Sequence, residues 1–156
     1  MKTLNLLAFA FLVLPLSASA EGVAGGSSPP TYCVWEMVDY AIPSPICGLQ
    51  GDAVRGQQIA SDGHKGNCLA CHQLPLDGIE AYGTIAPPLA GIGKRLNAGQ
   101  LRLRVVDSRQ LNPGSIMPGF YRNPALINRP AKDYMGRTFL SAQEVEDVIA
   151  YLGTLQ

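Results

Sequence analysis

The stretch Cys68-Leu69-Ala70-Cys71-His72 constrains this chain more than any other feature of it. Two thiols three positions apart can reach the two vinyl groups of one haem from adjacent turns of chain, and an imidazole directly after the second thiol falls under the iron as an axial ligand. The pentapeptide therefore reads as a c-type haem attachment site, with Cys68 and Cys71 as covalent anchors and His72 on the iron. Two other chemistries use paired cysteines. A thioredoxin-like redox pair wants a βαβ context and a thiol of depressed pKa at a helix N-terminus, and the Gly- and Pro-rich surroundings supply neither. A zinc site wants two further close ligands, whereas Cys33 and Cys47 are separated from each other by thirteen residues.

Those two cysteines take their meaning from the N-terminus. Lys2 provides a positive start, Leu4 to Leu14 is almost continuously apolar, and Pro15 breaks the run before Ala18-Ser19-Ala20. This is the pattern of a secretory signal peptide over residues 1–20, cleaved near Ala20/Glu21. Its apolar run is shorter than the ~20 residues of a membrane-spanning helix, and no other segment is a candidate, so no membrane anchor is expected after cleavage. The mature protein is expected in an oxidising compartment, the periplasm, where two leftover thiols form a disulfide. A Cys33–Cys47 bridge would be worth roughly 3 kcal/mol in the chain-entropy picture, and Pro43 and Pro45 suit a stapled turn between them. Residues 21–31 have a linker's composition. The chain thus divides into the leader, an N-terminal extension over 21–46 pinned by the disulfide, and a haem-binding domain over 47–156.

A haem held by one histidine needs a second ligand, and Met37, Met117, Met135 and His64 are the candidates. Met117 stands out because Pro113-Gly114-Ser115-Ile116-Met117-Pro118-Gly119-Phe120 is a loop fixed by two prolines and two glycines, free of helix geometry. Methionine with histidine raises the reduction potential, and a closed six-coordinate iron argues against oxygen or peroxide chemistry. Around the iron, the carbonyl of Pro87 is placed to accept the proton of the second ring nitrogen of His72, and Arg95 is a candidate partner for a haem propionate.

With 17 Gly, 12 Pro and 7% aromatic residues, much of the chain runs in loops, which favours a few helices over a sheet. One helix is expected from Gly51 or Asp52 to Ala60, with Asp52 as N-cap and Val54 and Ile59 among its few apolar residues. A second is expected after Asn97, with Leu101, Val105 and Ser108 on one face, running to Asn112-Pro113-Gly114. A third follows Ser141-Ala142-Gln143-Glu144, a capping box ahead of Val145, Val148, Ile149 and Leu152. Net charge is zero with an isoelectric point near 6.7, which disfavours a general nucleic-acid binder. The charge is nevertheless uneven: residues 94–137 hold nine basic side chains against Asp107 and Asp133. Such a stretch, Arg102 and Arg104 included, would attract anions or an acidic partner if it lay on one face.

The ordered set Gly51-Asp52-Ala53-Val54-Arg55-Gly56, Lys65-Gly66-Asn67-Cys68 through Pro75, Pro87-Pro88-Leu89-Ala90-Gly91, Leu101 through Asp107, Leu111-Asn112-Pro113, Met117-Pro118-Gly119-Phe120-Tyr121 and Leu140 through Leu152 resembles the SoxX cytochromes. These are the small monohaem subunits of the bacterial sulfur-oxidation cytochrome SoxAX. The resemblance runs from about residue 47 to the C-terminus. It implies an all-α class I cytochrome c fold, with few helices and long loops around one covalently bound haem c, and a cytochrome c domain over 47–156. It also implies His72 and Met117 as axial ligands, and Gly56 admitting a C-terminal helix aromatic such as Tyr151. The implied partner is SoxA in a heterodimer that couples thiosulfate to a cysteine of the carrier SoxYZ, an L-cysteine S-thiosulfotransferase activity whose chemistry resides on SoxA. This chain would accept the electrons and pass them to a downstream soluble cytochrome c, with no catalytic residue of its own. The rival functions are a free-standing electron-shuttle cytochrome and, further off, a haem peroxidase or sensor.

Overall fold

The computed structural model describes residues 32–156, so the expected leader and the linker-like run up to residue 31 lie outside the described residues. Helix α1, Ala53–Ser61, starts where the Asp52 carboxylate accepts a hydrogen bond from the Arg55 N–H at 2.9 Å, and it buries Gly56, Ile59 and Ala60. Val54 points outward and is 68% exposed. A short helix α2, Ile92–Arg95, precedes α3, Ala98–Asp107, which begins with a reciprocal cap between Asn97 and Gln100. The expected second helix does not continue unbroken to Asn112. At Asp107 the backbone turns extended, the Asp107 carboxylate accepts the Arg109 N–H, and the chain proceeds as a 3-10 turn, Ser108–Gln110. Helix α4, Ala142–Thr154, opens with the Ser141/Glu144 capping box. The described residues form no strand beyond an isolated bridge between Val38 and Ala41.

The body is organised by α4, which packs most extensively on α1 and then on α3. The α1–α4 crossing depends on Gly56: a Cβ there would overlap the Asp147 carbonyl and lie 2.8 Å from the Tyr151 Cβ. Val145, Val148 and Tyr151 from α4 join Leu101, Leu103, Val105 and Val106 from α3 and Ile59 from α1 in one buried apolar cluster. Burying each such side chain stabilises the fold by about 1.5–3 kcal/mol.

The segment before α1 belongs to this cluster too. Cys33 and Cys47 are joined, with Cα atoms 5.5 Å apart. Ile42 and Ile46 are both 2% exposed, the Ile42 N–H donates to the Gly99 carbonyl, and the Tyr32 ring stacks on Tyr121 at 5.0 Å. Ile42 and Ile46 thus belong to the core, and the disulfide and the Tyr32–Tyr121 stack tie the mostly exposed remainder of residues 32–46 to it.

Candidate haem site

The cysteine pair is set at the C-terminal end of α1 by a tight reversal. The Gly66 N–H donates to the Ile59 carbonyl and the Asn67 N–H to the Asp62 carbonyl. Gly66 is buried, and a Cβ there would lie 2.6 Å from the Ile59 carbonyl oxygen. Asn67 follows at φ 48° and ends the reversal, a left-handed conformation that asparagine tolerates better than most residues. A 3-10 turn, Cys68–Ala70, then carries the first thiol and Cys71 caps its end with the second, and the His72 N–H closes back on the Cys68 carbonyl at 2.8 Å. Burial pushes the Cys68 thiol up to about 11, opposite to the depressed value that a redox-active pair needs.

A second strand of chain runs alongside this turn. The N–H groups of Gly83, Ala86 and Leu89 donate in succession to the carbonyls of Leu69, Cys71 and Gln73. This register brings the Pro87 carbonyl 2.6 Å from His72 Nδ1. A carbonyl only accepts, so Nδ1 carries the proton and Nε2 keeps the lone pair available to a metal. Arg95 braces the same strap, with Nη1 on the Ala90 carbonyl at 2.9 Å and Nη2 on the Pro88 carbonyl at 3.4 Å.

The Met117 loop is held against the end of α3. Phe120 and Tyr121 N–H groups satisfy the Val105 and Val106 carbonyls, and the Leu140 N–H donates to the Phe120 carbonyl. Beneath it lies Asp107, 3% exposed, its charge matched by Arg122 Nε at 3.2 Å and Arg109 Nε at 3.5 Å.

These segments enclose two connected spaces. The outer cavity, about 500 Å³, is lined by Cys68, Cys71 and His72 on one side and by Met117, Pro118 and Phe120 on the other. An inner space of about 100 Å³ is walled by Leu89, Ile92, Leu101, Val105 and Leu140, and His72, Cys68 and Met117 border it as well. Of the four candidates for a second ligand, Met117 borders both spaces. His64 borders the outer one from the same loop as the cysteines, while Met37 and Met135 are 40% and 68% exposed and line neither.

The basic stretch is distributed differently from a surface patch. Arg102 is 4% exposed and bonds Glu146 through Nε at 2.7 Å and Nη2 at 2.8 Å. It is a structural cation, and the expectation that it helps attract anions at the surface is corrected. Among the described residues, Arg104, half-buried, is the one charged side chain bordering the inner space. Sequence reading grouped Arg104 with its charged neighbours. Its position three residues after Leu101 and one before Val105, on the face that turns inward, was the available signal.

An all-α shell closed over a Cys-x-x-Cys-His turn, with a methionine loop across the same cavity, defines a class I cytochrome c fold. The cytochrome c family model matches residues 53–156. A chain in the crystal structure of SoxXA from P. pantotrophus is 36% identical, with a TM-score of 0.70, over 78% of this chain and 93% of that one. No curated protein sequence matches. The chain belongs to the cytochrome c family, as one of its SoxX cytochromes.

A cytochrome c domain is an electron-transfer unit with covalently bound haem c, and the residues present fit that group. Two thiols sit on one short turn, an imidazole with its lone pair free borders the cavity, and a thioether lies on the opposing loop. The inner walls are apolar, as a macrocycle requires, and the single guanidinium among them, Arg104, suits a carboxylate.

Proposed function

We propose that this chain is the electron-accepting subunit of a periplasmic SoxAX-type heterodimer, holding one haem through Cys68 and Cys71 with His72 and Met117 as axial ligands. The observation that carries this reading is the shared cavity: His72 and Met117 both border the outer and the inner space. When bound there, haem supplies a one-electron couple. The protein's residues do the rest. Pro87 fixes the tautomer and plane of His72, Arg95 stiffens the strap that carries Pro87, and the apolar inner wall excludes water from the iron's surroundings. Arg104 is the propionate partner in this reading. Arg104 keeps one nitrogen on the Gln100 carbonyl at 2.9 Å, whereas Arg95, the other candidate, has two on the Pro88 and Ala90 carbonyls.

The likeness to a chain of SoxXA supports SoxA as the partner. Joining thiosulfate to a carrier thiolate as an S–S bond releases two electrons, which this chain would take singly from SoxA and pass to a soluble cytochrome c. The cavity mouth suits a docking face, since Ile85, Ile116 and Phe139 border it at 68%, 77% and 46% exposure. The test is an absorption spectrum of the purified mature protein and of Met117→Ala, followed by co-purification with the host's SoxA. Covalent haem with a weak far-red band that the variant loses, and a stable heterodimer, are expected. A monomer in host extract would favour the free shuttle; absence of the band would overturn the methionine assignment.

A further inference from the structure

The loop bearing Met117 is held by two serines in a closed ring of hydrogen bonds. The Met117 N–H donates to Ser115 Oγ at 3.3 Å, and Ser108 Oγ donates to the Met117 carbonyl at 3.3 Å. The two hydroxyls lie 2.8 Å apart. Each serine has one proton to give. Ser108 spends its proton on the Met117 carbonyl, so the bond between the hydroxyls runs from Ser115 to Ser108. The ring therefore reads Met117 N–H to Ser115, Ser115 to Ser108, Ser108 to Met117 carbonyl, with every donor pointing the same way round, an arrangement in which each bond polarises the next.

The ring joins the Met117 loop to the end of α3. Ser108 is 8% exposed and opens the 3-10 turn that Asp107 caps at the end of α3. Ser115 is tied back by its own N–H to the Asn112 carbonyl at 2.9 Å. Between them Met117 is flanked by Pro118, which has no N–H to offer, and by Ile116, which is 77% exposed. Neither neighbour anchors the loop, and both backbone polar groups of Met117 are spent on the two hydroxyls.

We propose that Ser108 and Ser115 are positioning residues that keep the Met117 thioether on the haem iron against competing ligands. The proposal rests on Met117 being the axial ligand. A thioether is a weak ligand, so the equilibrium between the closed loop and an open one, in which water or an added base occupies the iron, is set by what holds the backbone. Removing either hydroxyl takes away two of the ring's three hydrogen bonds and leaves the third, an effect of about five- to thirtyfold on that equilibrium.

The experiment titrates holoprotein with imidazole, following the far-red band and the Soret shift, for wild type, Ser108→Ala, Ser115→Ala, Ser108→Thr and the double alanine variant. Tighter imidazole binding by about five- to thirtyfold is expected in each alanine variant, a gain in the double variant smaller than the product of the two single gains because the bond between the hydroxyls is lost in both, and recovery in Ser108→Thr. Ser141→Ala, which removes the α4 cap, is the control: it lowers the melting temperature and leaves imidazole affinity unchanged. Half-exposed Ser115 keeps the test available if Ser108→Ala fails to fold. A far-red band in wild type with imidazole affinities within about twofold across the serine variants overturns the proposal alone, since one lost hydrogen bond exceeds that. A wild type without the band overturns the methionine reading and the proposal with it.

Discussion

Arg102 and Glu146 face each other fork to fork in the interior, with Nε to Oε1 at 2.7 Å and Nη2 to Oε2 at 2.8 Å. Each also holds the N-terminal segment: Arg102 Nη1 donates to the Ile42 carbonyl at 2.7 Å, and Glu146 Oε1 accepts the Ile46 N–H at 2.8 Å. One ion pair therefore ties α3, α4 and residues 42–46 into a single unit. Breaking such a pair by removing one partner leaves an uncompensated buried charge, at a cost of about 3–5 kcal/mol. Arg102→Ala and Glu146→Ala should each lower stability by that order in urea denaturation of the holoprotein. Arg104→Ala, facing the cavity, should cost less.

Arg95→Gln should leave the fold intact and loosen the Pro88–Ala90 strap. Each lost bond to a carbonyl from a charged donor is worth about 1.5–3 kcal/mol at most, discounted here because Arg95 is exposed. The expected signature is a changed reduction potential at nearly constant melting temperature, since the strap sets the His72 Nδ1 bond. An unaltered potential would show that Pro87 is held without Arg95.

Arg104→Gln removes the cation bordering the inner space. A positive charge near the iron favours the reduced state, so the potential of the variant should fall. A propionate deprived of its partner should also titrate at higher pH, making the potential more pH-dependent over the neutral range. Redox titration at several pH values checks both.

Acid stability should depend on Asp147. Burial alone would raise its carboxyl, but hydrogen bonds from Arg55, Gln143 and the Asp52 N–H outweigh burial and hold it below its ordinary value. The unfolded chain therefore takes up the proton first as pH falls. The stabilisation is complete above the ordinary aspartate range, about pH 4–5, and is lost as pH drops through the lowered native value. Thermal melts against pH should show a shallower acid limb in Asp147→Asn than in wild type.

What was legible in the sequence was local. The haem motif, the Asn97 and Ser141 caps and the proline-framed Met117 loop are each specified by residues within a few positions of one another, and the structure places all of them as elements of one site or its frame. The Gly56–Tyr151 approach came through family resemblance, because no local rule pairs residues so far apart. Arg102 was misread for the same reason: charge counted along a chain does not reveal that i and i+2 on α3 face the core and the cavity respectively. Ser108, expected on the face of the second helix with Leu101 and Val105, instead opens the 3-10 turn after α3, and its bond to Met117 depends on the break at Asp107, where a carboxylate caps that turn.

The bond from the Asp52 N–H to the Asp147 carboxylate spans 95 positions. Cys68, Cys71, His72, Pro87, Arg104, Ser108, Ser115 and Met117 all fall inside that span. The α1–α4 contact therefore closes a loop of chain that contains all of these residues, and closing a loop of that length carries an entropic cost that the contacts across it must offset. α4 itself contributes Val148 and Leu152 to the wall of the inner space. The last helix of the chain thus walls a site built from residues that all precede it.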